Sequence, residues 1–241
     1  MHLKSVRFHP DLYPTREHYP FNLGIFHQTT GLALTSPVTF FIGENGTGKS
    51  TLLEAIARRA GIHIWRDGER TRCVVNLYEN KFYRGISIEW VDDAVPGSFF
   101  GSSVFQDFAR LLDEWAATDP GQLDYFGGKS LLTQSHGQSI MSFFKARYAI
   151  KGLYLLDEPE TALSPKTQIA LLDLLTTLSA AGHAQFIIAT HSPILLSCPG
   201  ATIYSFDHSP IASVPYEETD HYRTYKTFMN DRHGCRPPLA S

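Results

Sequence analysis

The residues that most constrain this chain are GENGTGKST, 43 to 51, set directly after the continuously apolar run VTFFI. Gly43, four intervening residues, and then Gly48, Lys49 and Ser50 complete the phosphate-binding (Walker A) pattern G-x-x-x-x-G-K-[ST]. Such a pattern calls for a buried strand, a tight loop and a helix, here expected from about Lys49 to Ala60. Glycines let consecutive backbone N–H groups point inward around phosphate, and the helix N-terminus adds its positive end. Lys49 would then bridge the outer phosphates, while the Ser50 hydroxyl is placed to ligate magnesium. On this reading Gly43, Glu44, Asn45, Gly46, Thr47, Gly48, Lys49, Ser50 and Thr51 form a nucleotide-binding loop. A turn that merely capped a helix would have no use for Lys49 and Ser50 at those positions.

Strand and helix patterns alternate along the rest of the chain, which favours a mostly parallel sheet with covering helices. LKSVRF (3–8) alternates like an edge strand, whereas VTFFIG (38–43), GLYLLDEPE (152–160) and QFIIATH (185–191) are apolar enough to be buried on both faces. ATIYSFD follows as a fourth strand of that core. CVVNLYE (73–79) and GISIEW (85–90) are expected to form a hairpin, and VFQDFARLLDEW a helix with Val104, Phe108, Leu111, Leu112 and Trp115 on one face. SPKTQIALLDLLTTLSAAG has Ser164 as N-cap, Pro165 at the first helical position and Gly182 just past the end. DPGQLDYFGGKS (119–130) is the most flexible connection expected. In a last helix, DHYRTYKTFMND, residues Tyr222, Tyr225, Phe228 and Met229 share a face read as core packing ahead of partner docking. One domain over 1–241 is expected, with 1–62 and 150–241 as nucleotide-binding core and 63–149 carrying the hairpin and a helical arm.

Bulk charge excludes little but decides emphasis. With 21 Lys+Arg against 24 Asp+Glu the net charge is -3, so nucleic acid is a possible partner that the charge does not indicate. The three cysteines, Cys73, Cys198 and Cys235, have no metal-ligand spacing. The N-terminal MHLKSVRFHPDLYP lacks a signal-peptide core, and no window approaches the about 20 apolar residues of a membrane span. A cytoplasmic protein is the expectation.

Two further motifs belong with the loop. LYLLDEPE delivers acids from the end of a buried strand, so Asp157 can help hold magnesium while Glu158, the next carboxylate, suits a general base for an attacking water. His191 ends another buried strand, where its imidazole would face the same sheet edge.

Taken in order, GENGTGKST, SHGQS, LYLLDEPETALSP and FIIATHSP resemble the ABC-type ATPases, and more closely the small soluble bacterial AAA-family ATPases built on the same head domain. The resemblance runs from about Val38 to Asp207. It implies an α/β P-loop NTPase fold: an ABC-ATPase-like head with a mostly parallel core sheet, a flanking antiparallel β region and a short helical arm. It also implies ATP and Mg2+ as ligands, Glu158 as catalytic glutamate, ETALSP (160–165) as the D-loop and His191 as the switch histidine at the γ-phosphate. By the same likeness Ser135, Gly137 and Gln138 form a signature in S-x-G-Q form, with His136 where a glycine is usual, completing the site of another subunit in an ATP-driven homodimer. Two features depart from the pattern. No glutamine stands at the expected Q-loop, where Ser102 or Ser103 is offered and Gln106 is displaced into a helix. The adenine-stacking aromatic is drawn from Tyr13, Tyr19 and Phe21, with Tyr19 ranked first.

The expected function is Mg-dependent ATP hydrolysis controlling an unidentified protein partner. The alternative is an ATP-dependent switch or binding module for protein or DNA with slow hydrolysis. The presence of both Glu158 and His191 favours the enzyme. A small-molecule kinase would need an arginine-rich lid, and 119–150 supplies only Lys129, Lys145 and Arg147. A Ser135–His136 hydrolase lacks the G-x-S-x-G elbow.

Overall fold

The computed structural model describes residues 1–65, 76–126, 128–133 and 136–231. Strands β1 (Leu3–Phe8), β2 (Gly31–Ala33), β3 (Val38–Ile42), β4 (Ile86–Trp90), β5 (Gly97–Gly101), β6 (Gly152–Asp157), β7 (Ala184–Ala189), β8 (Thr202–Ser205) and β9 (Ala212–Ser213) alternate with helices. The α-helices are α1 (Ile25–Gln28), α2 (Lys49–Arg59), α3 (Ser102–Thr118), α4 (His136–Tyr148), α5 (Pro165–Ala180), α6 (Pro193–Leu196) and α7 (Asp220–Asn230).

A six-stranded sheet runs in the order β5-β6-β7-β3-β8-β9, parallel from β5 to β8 with β9 antiparallel at its edge. Its central strands β3 and β7 are buried at every position, and apolar except at Thr39 and Gln185, because both faces are covered. Alternate side chains serve opposite layers. Phe40, Tyr154, Leu156, Phe186 and Ile188 pack with Phe144 and Tyr148 of α4 and with Leu171 and Leu175 of α5. Phe41, Leu153, Leu155 and Ile187 pack with Leu52, Leu53 and Ile56 of α2 and with the smaller sheet. That smaller sheet is antiparallel, in the order β2-β1-β4. The architecture is α/β with a mostly parallel sheet and a flanking antiparallel one, as expected.

Several local expectations need correction. β1 is the centre of the small sheet rather than an edge, since its backbone pairs with β2 on one side and β4 on the other. Alternation reports that one face meets solvent, here through Lys4 and Arg7, and is silent about which edges are paired. No hairpin over 73–79 and 85–90 is formed among the described residues: residues 77–80 are a turn, Ile86–Trp90 pairs with β1, and 73–75 lie outside the described residues. Strand β5 was not anticipated, and it moves Gly97–Gly101 from the expected arm into the main sheet beside β6. Its Phe99 and Phe100 enter opposite layers. Gly97 is required there, because a Cβ would meet the Leu153 carbonyl oxygen at 2.2 Å. The buried face of α3 is Phe105, Ala109 and Leu112, about one position away from the expected stripe, and Trp115 stays 41% exposed. The Val104 side chain lies outside the described residues.

Helix α5 forms as expected, with the Ser164 side chain accepting the Thr167 N–H and Pro165 opening the first turn. Helix α7 does not pack into the core. None of its residues is buried, and Tyr225, Phe228 and Met229 are 55%, 49% and 72% exposed. No helix among the described residues is long and apolar enough to cross a membrane.

Candidate nucleotide-binding site

Parallel strands bring their carboxyl ends to one edge of the sheet, and five of them meet here. β3 leads into the glycine-rich loop, β5 into Ser102, β6 into Asp157 and Glu158, β7 into Thr190 and His191, and β8 into Asp207. Residues far apart in sequence thus share one edge.

The loop after β3 turns through Gly43, Gly46 and Gly48, with φ of +140°, +83° and +103°. Gly48 is doubly constrained, since a Cβ there would also meet Phe26 Cζ at 2.6 Å. Glu44, Asn45 and Gly46 form the exposed apex, and the Thr47 hydroxyl donates to the Glu44 carbonyl at 2.9 Å. Lys49, only 4% exposed, donates from Nζ to the carbonyls of Gly43 at 2.6 Å and Glu44 at 2.9 Å. Burial lowers its pKa, opposed by the acids Glu158, Asp207 and Asp157 around it. The Glu44 N–H donates to Asp207 Oδ1 at 2.7 Å, so a carboxylate that sequence reasoning missed braces the loop. Its one signal was the acid closing the apolar run ATIYSFD.

Ser50 Oγ donates to Asp157 Oδ1 at 2.8 Å. Burial is the largest cause pushing the Asp157 pKa up to about 7, opposed by the Ser50 hydrogen bond and the Lys49 charge and reinforced by Glu158 and Glu54. A hydroxyl beside a carboxylate oxygen suits Mg2+, a hard cation that takes its remaining ligands from phosphate and water. These residues therefore fit the metal as part of a nucleotide complex. Among the described residues no cluster of three or more His, Cys, Asp or Glu forms a cage able to hold a metal by itself.

Glu158 is the one described non-glycine residue at positive φ, +47°. Such a conformation costs on the order of 1–2 kcal/mol and persists where surrounding bonds over-determine it. Here the Glu158 N–H donates to the Ala189 carbonyl at 2.9 Å, and the Glu158 carbonyl accepts from Ser102 Oγ at 3.1 Å and Thr161 Oγ1 at 2.9 Å. Ser102 thus occupies the neighbouring strand end where a Q-loop residue was sought, while the Ser103 and Gln106 side chains lie outside the described residues. His191 Nε2 lies 3.7 Å from Glu158 Oε1. The His191 N–H donates to Glu160 Oε1 at 2.6 Å, and burial raises the pKa of that glutamate.

Tyr19 hydrogen-bonds through its hydroxyl to Thr51 Oγ1, and borders a cleft with Ser50, Glu54, Arg58, Asn80 and Tyr83. Phe21 is buried, and Tyr13 packs on Phe21 and Phe82 while donating to the Phe26 carbonyl. Of the three aromatics weighed, Tyr19 is the one beside the loop. The expected signature is divided: Ser135 lies outside the described residues, Gly137 stands in the first turn of α4 against the Ala162 carbonyl, and Gln138 is exposed. His136 opens α4, and its side chain is outside the described residues.

Two family models match the chain. One, described as "AAA domain, putative AbiEii toxin, Type IV TA system", covers residues 139–197, and one described as "AAA domain" covers 21–58. The ferric enterobactin transport ATP-binding protein FepC of Escherichia coli (strain K12) is 32% identical over 157 residues, 58% of this chain and 57% of that protein. The aliphatic sulfonates import ATP-binding protein SsuB 1 of Xanthomonas axonopodis pv. citri (strain 306) is 30% identical over 164 residues, 64% of each chain. The chain therefore spans less than two thirds of the length of these relatives. A solved structure described as "an inward-facing conformation of a putative metal-chelate type ABC transporter" shares the fold, with TM-score 0.54 at 18% identity over 93% of this chain and 88% of that one. The chain is thus similar in sequence to ABC-type ATP-binding proteins and shares the ABC-type head fold.

Proposed function

We propose that this chain, similar in sequence to ABC-type ATP-binding proteins and built on an ABC-type head, binds Mg-ATP and hydrolyses it. The observation that carries the reading is the meeting of Lys49, the Ser50–Asp157 pair, Glu158 and His191 at one sheet edge. Loop N–H groups and the α2 N-terminus hold the phosphates, and Lys49 exchanges its two loop carbonyls for the outer phosphate oxygens. Ser50 and Asp157 would hold Mg2+, which neutralises charge on the phosphates when bound. Glu158, held by its strained backbone, accepts the proton of the attacking water, and His191 contacts the γ-phosphate. Tyr19 flanks the base.

The nucleotide-bound form is read as a head-to-tail homodimer in which the segment of Ser135, Gly137 and Gln138 contacts phosphate held by the other subunit. The exposed Tyr225, Phe228 and Met229 on α7 favour a protein as the regulated partner. In a switch with slow hydrolysis, the second reading, the same closure would control that partner. The relatives, both ATP-binding proteins of transport or import systems, lend this chain their nucleotide chemistry.

Glu158→Gln separates the steps. Turnover should fall about 100-fold or more while ATP is still bound, and a dimer should accumulate in light scattering with saturating Mg-ATP. A variant that hydrolyses ATP at the wild-type rate removes Glu158 from the chemistry. Wild-type protein that binds ATP and closes without measurable turnover selects the switch.

A further inference from the structure

His221 is a half-buried titratable residue with no part in the reading above. It is the second residue of α7, and its Nε2 lies 3.1 Å from Nδ1 of His191. The remaining nitrogens, Nε2 of His191 and Nδ1 of His221, are buried without a hydrogen-bond partner among the described residues. Burial, followed by the neighbouring His191, lowers the His221 pKa and keeps that ring neutral.

Two imidazole nitrogens at this distance share one proton on the line between them. If the proton sits on His191 Nδ1, the lone pair of His191 Nε2 faces Glu158 Oε1 at 3.7 Å. His221 then also keeps its own proton on buried Nδ1, with nothing to receive it. If the proton sits on His221 Nε2 instead, His191 carries hydrogen on Nε2, pointing toward the carboxylate, and the orphan is a bare acceptor. An unpaired buried donor and a lone pair against a carboxylate both cost free energy, so the second arrangement prevails.

We propose that His221 is a positioning residue: donating Nε2–H to Nδ1 of His191, it fixes the tautomer and ring orientation that present His191 Nε2–H to the γ-phosphate. The proposal rests on the reading of His191 as the γ-phosphate contact. A partner one step removed from the reacting atoms commonly sets which imidazole nitrogen carries the proton. Because His221 sits in the first turn of α7, displacing that helix withdraws the donor.

Four forms test this in saturating Mg2+ with ATP varied. His221→Leu should lower kcat about 10- to 100-fold with KM changed by less than about threefold. His221→Gln, whose amide nitrogen stands in for Nε2 as donor, should recover most of the loss. In a His191→Ala background, His221→Leu should cost nothing further. Wild-type kcat in His221→Leu, no recovery in His221→Gln, or an undiminished loss without His191 each overturns the proposal. If wild-type protein hydrolyses no ATP, the hydrolysis reading falls separately. The side-chain 15N spectrum near neutral pH still decides: a His191 Nε2–H tautomer with Nδ1 accepting supports the proposal, and an Nδ1–H tautomer overturns it.

Discussion

At the scale of single residues, the proposed magnesium-holding role of Asp157 carries a cost in stability. A carboxyl that burial holds near a pKa of about 7 is costly to ionise inside the nucleotide-free protein. Asp157→Asn should therefore raise the Tm of the nucleotide-free protein, by roughly 5 °C, and abolish the further rise that Mg-ATP gives the wild type in a thermal melt. A lower Tm with an unchanged Mg-ATP response would contradict this assignment. Gly48→Ala works in the opposite sense. Its φ of +103° and the 2.6 Å approach to Phe26 predict a loss of about 1–3 kcal/mol in denaturant unfolding, together with loss of nucleotide binding. That Lys49, Ser50, Asp157 and Glu158 meet at one sheet edge was readable from the sequence, because the loop and strand-end patterns that carry them call for that placement. Asp207 and His221 were not readable, since each acts through a neighbour on another strand or helix.

At the scale of elements, α5 and α7 show what periodicity can and cannot say. Both carry apolar residues at helical spacing, but α5 buries Leu171 and Leu175 fully while α7 buries nothing. Leu171→Ala should cost about 2–5 kcal/mol in equilibrium unfolding. Replacing Tyr225, Phe228 and Met229 together by serine should change stability by less than about 1 kcal/mol, because those side chains already meet solvent. A large loss there would mean that α7 contributes to the core. An amphipathic stripe specifies a helix with one apolar face, and leaves open whether the chain's own core or another molecule covers it. The same limit explains β1 and β4: the pattern marks one as an alternating strand and the other as an arm of a hairpin, while their pairing joins residues about eighty positions apart.

For the whole molecule, the proposed composite site makes a stoichiometric prediction. Lys49→Ala removes one half of each site, and Gly137→Asp sets a carboxylate at the α4 N-terminus against phosphate from the other subunit. Space beside Gly137 admits the change, since a Cβ lies 3.6 Å from the Ala162 carbonyl oxygen. Each variant alone should be inactive, whereas an equal mixture should regain about a quarter of wild-type ATPase activity, one intact site in half of the dimers. A mixture that stays inactive excludes the split site. What the sequence determined by itself was local: the loop 43–51, the acids after the β6 run, and the apolar strands, because backbone geometry and phosphate chemistry act over a few residues. The tertiary structure alone decided that β5 joins the main sheet, that Asp207 braces the loop and that His221 reaches His191. Those contacts depend on strand order and helix placement, which long-range packing sets and short-range pattern does not encode.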